Sequence, residues 1–146
     1  MNNFFKFSLK TASPRTIHIA LLFMRVGIGV LTIGHGYPKF MSGMEGWHGL
    51  GVTFMAPLGI TFLPTLWGFL GAITEFIGGI MLTIGFGTRL AAAANILMMI
   101  IATAWHVNKG DSFNVYSLPL TLIVVFCAYM LMGSGIVSVD AHITKE

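Results

Sequence analysis

Four apolar runs, residues 15–36, 64–85, 89–107 and 116–133, constrain this chain more than anything else in it. Each is close to the ~20 helical residues that cross a hydrocarbon core about 30 Å thick. Within lipid every backbone N–H and C=O must find its partner inside the segment, so such runs fold as helices. Composition agrees: hydrophobic residues make up 55% and charged residues 9%, against about 25% charged in soluble domains. The expectation is an all-α fold over residues 1–146, a single integral membrane domain built as a four-helix bundle.

The run boundaries carry helix signals. Ser13-Pro14 suits an N-cap with proline in the first turn. Thr88 predicts a cap for the third helix, and Ser117 with Pro119 a start for the fourth. Gly85-Phe86-Gly87 allows only a tight connection, so the second and third spans form an antiparallel hairpin. Residues 48–63 are apolar but short and interrupted by Gly49, Gly51, Pro57 and Gly59. They predict an interfacial or re-entrant segment between the first two spans. No A-x-A-like cleavage site follows the first run, which predicts a retained span.

Lys6, Lys10, Arg15, Arg89 and Lys145 fall at one end of the spans, and Lys39 with Lys109 at the other. The bias predicts both termini in the cytoplasm. Trp47, Trp67, Trp105, Tyr37 and Tyr116 then form an aromatic belt at the outer interface. The net charge of +3 rests on eight Lys and Arg. These do not cluster into a stripe, which gives nucleic-acid binding no support. The single cysteine, Cys127, excludes an internal disulfide and reads as an apolar filler.

Two charges stand alone deep in the runs: Arg25 and Glu75. An ionised group at the bilayer centre costs about 2.5–3.5 kcal/mol on insertion scales, so such residues turn inward and find partners. Counting from Arg15 and from Gly85 puts both near one depth, about 15 Å from the inner face. They are candidates for a buried pair, either functional or purely a device that holds two helices in register. His35 and His106 close the first and third spans at the outer level. Asn95, Ala102 and His106 share one helical face, and His48 can approach from the segment before the second span. No two histidines have metal-ligand spacing within one helix, so no metal site is predicted. A polar pocket narrowing toward Arg25 and Glu75 would suit a quinone, with Trp105 or Trp67 offering a flat face. The sequence carries no bis-histidine haem pattern, cysteine cluster or dinucleotide-binding glycine motif, so neither haem nor flavin is predicted.

The order of short motifs resembles the DoxX family of small four-helix bacterial membrane proteins. The matching residues are Arg25, Gly34-His35-Gly36-Tyr37-Pro38-Lys39-Phe40, Glu75 with Gly78-Gly79, Gly85 to Ala92, and His106. The likeness runs from about residue 16 to 136. It implies a bacterial inner-membrane location and a role as subunit of a quinone-linked oxidoreductase system, acting on small sulfur compounds. It carries over Arg25, His35, Lys39, Glu75, Arg89 and His106. Many relatives have an acidic residue at the start of the fourth span, where this chain reads Val115-Tyr116-Ser117-Leu118-Pro119.

The combined expectation names Arg25, Glu75, His35 and His106 as the chemical groups. Trp105, Trp67, Asn95 and Lys39 would hold the ligand. Expected partners are the lipid bilayer, a redox subunit and a second copy of the chain. A non-catalytic anchor or assembly subunit is the alternative. A small-molecule transporter is less favoured, since the chain lacks repeated halves.

Overall fold

The computed structural model describes residues 11–145, so Lys6 and Lys10 of the charge tally lie outside the described residues. Helix α1 spans Pro14–Met41, α2 Gly43–Met55, α3 Pro64–Ile84, α4 Thr88–Lys109, α5 Phe113–Met132 and the short α6 Val139–Thr144. Four of these, α1, α3, α4 and α5, are long and apolar enough to cross a membrane.

Helix α1 starts as its sequence predicts, with the Ser13 hydroxyl accepting from the Thr16 N–H at 3.3 Å. It continues through Pro38 to Met41, five residues beyond the expected end. Proline inside a helix removes one backbone bond. The last turn survives because Gly36 and Lys39 are both held on α3, as described below. At 28 residues the helix is about 42 Å long, more than a hydrocarbon core needs.

The apolar segment expected at 48–63 begins earlier, as α2, and ends in a 3-10 turn over Ala56–Leu58. Of its expected interruptions, Gly51 is a contact point, Gly49 faces open space, and Gly59 (φ 79°) ends the 3-10 turn. A Cβ at Gly51 would strike the Pro64 carbonyl, and one at Gly68 of α3 would strike the Trp47 carbonyl. Small residues let helix backbones meet this closely, and α2 therefore lies against the first half of α3.

Helices α3 and α4 form the expected hairpin. Gly85 (φ 73°) and Gly87 (φ 57°) both take left-handed conformations that suit glycine. Thr88 does not cap α4 but is its first residue. The cap comes from Asp140 of α6, whose carboxylate accepts from the Gly87 N–H at 2.7 Å and the Thr88 N–H at 3.1 Å. A carboxylate satisfies helix N–H donors and complements the helix dipole better than a threonine hydroxyl. Helix α5 starts at Phe113 after Ser112, not at Ser117, and Pro119 is buried inside it. The first N–H groups of a helix need no intrahelical partner, so the helix can draw in three residues before the apolar run.

In space α1 packs on α3, α3 on α2 and α4, and α4 on α5, while the edge helices α1 and α5 share no comparable face. The aliphatic and aromatic core lies at the hairpin end: Leu21, Leu82, Ala91, Ala92, Phe126 and Tyr129. The opposite end, near α2, is where polar groups gather.

Candidate ligand site

The contact between α1 and α3 sets the depth of every charge. Gly29 faces Gly79 and Thr83, Gly36 faces Glu75 and Phe76, and the Arg25 guanidinium faces Gly85. Arg25 therefore lies level with the hairpin turn, and Glu75 with the last turns of α1. The expected pair of Arg25 with Glu75 does not form. The count from Arg15 put that residue level with Gly85, whereas α1 overhangs the hairpin by about ten residues, or about 15 Å.

Arg25 is 2% exposed. Its Nη1 donates to the Ser134 carbonyl and its Nη2 to the Val137 carbonyl, both at 2.7 Å. It binds the segment after α5 to the bundle and lines none of the polar end. Burial pushes the Asp140 carboxyl of that segment up. The N–H groups of Thr88 and Gly87 outweigh this and hold it below the usual carboxylate range.

Glu75 is paired instead with Lys39. The Lys39 ammonium lies 2.7 Å from Oε1 and 2.6 Å from Oε2, and the two side chains are 34% and 7% exposed respectively. Tyr37 and Phe40 pack on Phe76 beside this pair. Trp47 and Ser42 both donate to the Lys39 carbonyl, at 3.1 and 2.7 Å, fixing the end of α1 against α2.

The pair borders a cavity of about 420 Å³ at the centre of the polar end. Helix α1 contributes Leu31, Thr32, His35 and Lys39, α3 contributes Glu75, and α4 contributes Met99, Ala102 and His106. The apolar wall is completed by Phe54 of α2 and by Leu118, Pro119, Leu122 and Phe126 of α5. Leu31 and Leu118 are 62% and 57% exposed, so the edge helices leave the cavity a side opening.

His106 is anchored from outside the cavity. Its Nδ1 lies 2.7 Å from Asp111 Oδ2, and Lys109 Nζ lies 3.6 Å from the same oxygen. The His106 hydrogen bond is the main reason the Asp111 carboxyl sits below its usual range. Desolvation opposes it and Lys109 adds to it. A carboxylate on Nδ1 favours the proton there and leaves Nε2 to act on a ligand. Asp111 was not among the expected site residues. The only trace of it is an acidic residue five positions after His106, across Gly110, which takes a left-handed φ of 79°.

Of the expected residues, His35, Lys39, Glu75 and His106 meet at one cavity. Arg25 does not. Asn95 is fully buried away from it, donating to the Ala91 carbonyl at 2.9 Å and touching Gly78, so it locks α4 to α3. Trp105 lies beside Phe54 and under the Lys109 ammonium and is not part of this cavity's lining, because the α-helical turn that points His106 inward carries its neighbour away. His48 meets Thr65 at 3.3 Å instead of joining the cavity. Trp67 borders a second, smaller chamber on the other side of the Lys39–Glu75 pair. Among the described residues no group of three metal-ligating side chains occurs.

The DoxX family matches residues 20–108, more than half of the chain. The chain is also 27% identical over 131 residues to a Bacillus subtilis (strain 168) protein named "Putative oxidoreductase CatD". That alignment covers 90% of this chain and 92% of the relative. No solved structure gives a significant match.

Proposed function

The chain belongs to the DoxX family, and from that premise we propose that it is a membrane subunit of an oxidoreductase system whose central cavity binds a quinone-type ring. The observation that carries this reading is the convergence of His35, the Lys39–Glu75 pair and the Asp111-supported His106 on one apolar cavity. Ligand cavities are mostly apolar, with a few polar groups fixing orientation. A ring bearing carbonyl oxygens needs apolar walls and separate donors. Met99, Leu122 and Phe126 supply the walls, and the Lys39 ammonium and the imidazoles supply the donors. A bound quinone brings reversible storage of electrons and protons. The chain's own residues bind and orient it, and Glu75 with His106 can hold a proton beside its oxygens. The opening between Leu31 and Leu118 suits a ligand that arrives sideways through lipid.

The similarity to a protein named as an oxidoreductase supports the redox setting. We assign the electron source to a partner subunit, consistent with a sequence that has no dinucleotide-binding glycine motif. A small sulfur compound as the partner's substrate rests on the family resemblance alone. We also propose an inner-membrane location with both termini in the cytoplasm, supported by the bias of Lys and Arg toward that side.

A second reading has its own support: the Lys39–Glu75 pair ties α1 to α3, which is what a non-catalytic anchor subunit needs. Purification in native lipid followed by extraction separates the two. The ligand reading expects quinone to copurify and to be lost from Lys39→Ala. Protein that is folded, partnered and free of quinone supports the anchor.

A further inference from the structure

Lys39 and Glu75 stand between two cavities. Both residues, with Phe54 and Ala102, line the larger one and also a chamber of about 50 Å³ on the α2 side. Trp67, Gly68, Gly71 and Met98 close that chamber and take no part in the larger cavity. Its volume leaves room for about one or two waters. A buried site keeps water only where polar groups hold it. Here the groups are the Glu75 carboxylate and the Lys39 ammonium, and the lining also includes Trp67, whose Nε1–H is buried with no partner among the described residues. Glu75 oxygens accept from Lys39 and still have lone pairs to spare, and the ammonium has a third hydrogen.

We infer that the small chamber holds ordered water and makes Glu75 an exchangeable proton site for the ligand cavity. A proton from bulk solvent reaches Glu75 through the chamber water: the water donates one O–H proton to the carboxylate as it accepts another from the solvent side, so no hydroxide is left behind. Protonation removes the counter-charge of Lys39 and frees its ammonium for a ligand oxygen. With a quinone-type ring bound and an external reductant supplying two electrons, Glu75 would donate one proton to a ring oxygen, return as carboxylate to Lys39, and be recharged from the chamber water to supply the second. This step rests on the quinone-type reading of the larger cavity. The water in the chamber does not.

Two measurements on the full chain in lipid nanodiscs test it. Radiolytic footprinting of the ligand-free protein reads water in the chamber through oxidation of Met98 and Trp67. Labelling of both is expected, with loss of the Met98 label in Gly71→Val. That substitution fills the chamber, and its first Cβ meets only the flexible end of Met98. Trp67→Phe keeps the ring shape and removes the N–H, and should lower the label on Met98 as well. Absence of label in the wild type overturns the inference whether or not a quinone binds. The second measurement is infrared difference spectroscopy with a water-soluble quinone analogue, reduced by dithionite. A protonated-carboxyl band that shifts in D2O and vanishes in Glu75→Gln is expected, with its exchange lost in Gly71→Val although the analogue still binds. Analogue binding without any Glu75 carboxyl band makes the pair structural and overturns the proton step. No analogue binding at all overturns the quinone reading and the proton step with it, leaving the footprint to decide the chamber.

Discussion

Lys39 Nζ lies 2.6 and 2.7 Å from the two carboxylate oxygens of Glu75, joining the end of α1 to the middle of α3. Glu75 has no other hydrogen-bond partner among the described residues, so its charge depends on this lysine. Removing one partner of a buried pair costs about 3–5 kcal/mol. Lys39 is one-third exposed, and solvent screening places the expected loss at the lower end. Lys39→Met should lower the thermal midpoint in detergent, and Lys39→Met with Glu75→Gln should recover part of the loss. A double variant no more stable than the single one would show that the pair is not coupled.

Arg25 gives a prediction of a different kind. Its two bonds to the Ser134 and Val137 carbonyls tie down the segment after α5. Hydrogen bonds from a charged donor are worth about 1.5–3 kcal/mol each. Arg25→Met should raise hydrogen exchange across residues 134–144, while ligand binding at the far end of the bundle stays unchanged. A ligand defect in a well-folded Arg25→Met protein would return this residue to the site.

Asp140 carries the acid limit of that same region. Its carboxyl is held below the usual value of 3.8 by the N–H groups it accepts from. The folded state therefore binds the proton less readily than the unfolded state. The stabilisation is complete above the unfolded value and disappears as pH falls through the lower, folded one. The protection factor at the start of α4, corrected for the intrinsic pH dependence of amide exchange, should therefore stay flat from neutral pH down to about pH 4 and fall below it. Asp140→Asn should flatten the acid limb and cost about 1 kcal/mol at neutral pH.

Much of this was legible in the sequence. Membrane-length apolar runs leave the backbone no choice but helix, and Gly85-Phe86-Gly87 leaves the connection no choice but a tight turn. Glu75 was legible as an inward group because leaving a charge in lipid is costly, whereas His35, on the cavity lining, is exposed. What could not be read was register. Whether Arg25 or Lys39 stands beside Glu75 depends on how far α1 overhangs the hairpin, and that is set by Gly29, Gly36 and Gly79 meeting backbone across the interface. Asn95 and Trp105 were misassigned for a related reason. Helical spacing gives the face of a residue, but not which neighbour fills the space before it. Asp111 carries no signal in the sequence because its partner lies across a turn of left-handed glycine.

His106 and Asp111 should act on the ligand and not on the fold. Asp111→Asn keeps the shape but removes the charge that favours the Nδ1 proton, and His106→Ala removes the ring. Both are expected to weaken binding of a quinone analogue, with His106→Ala the larger effect, while melting temperatures stay near that of the wild type. Unchanged affinity in both variants would take this dyad out of the site.

A quinone-type ring in the cavity between α1 and α5 is what the proposed function requires. Photolabelling with an azido-quinone, followed by peptide mapping, tests it most directly. Label is expected on residues 31–39 and 118–126, displaced by excess unlabelled quinone and lost in Lys39→Ala. Label confined to outward-facing residues such as Phe23 and Leu131, or label that excess quinone does not displace, would contradict it.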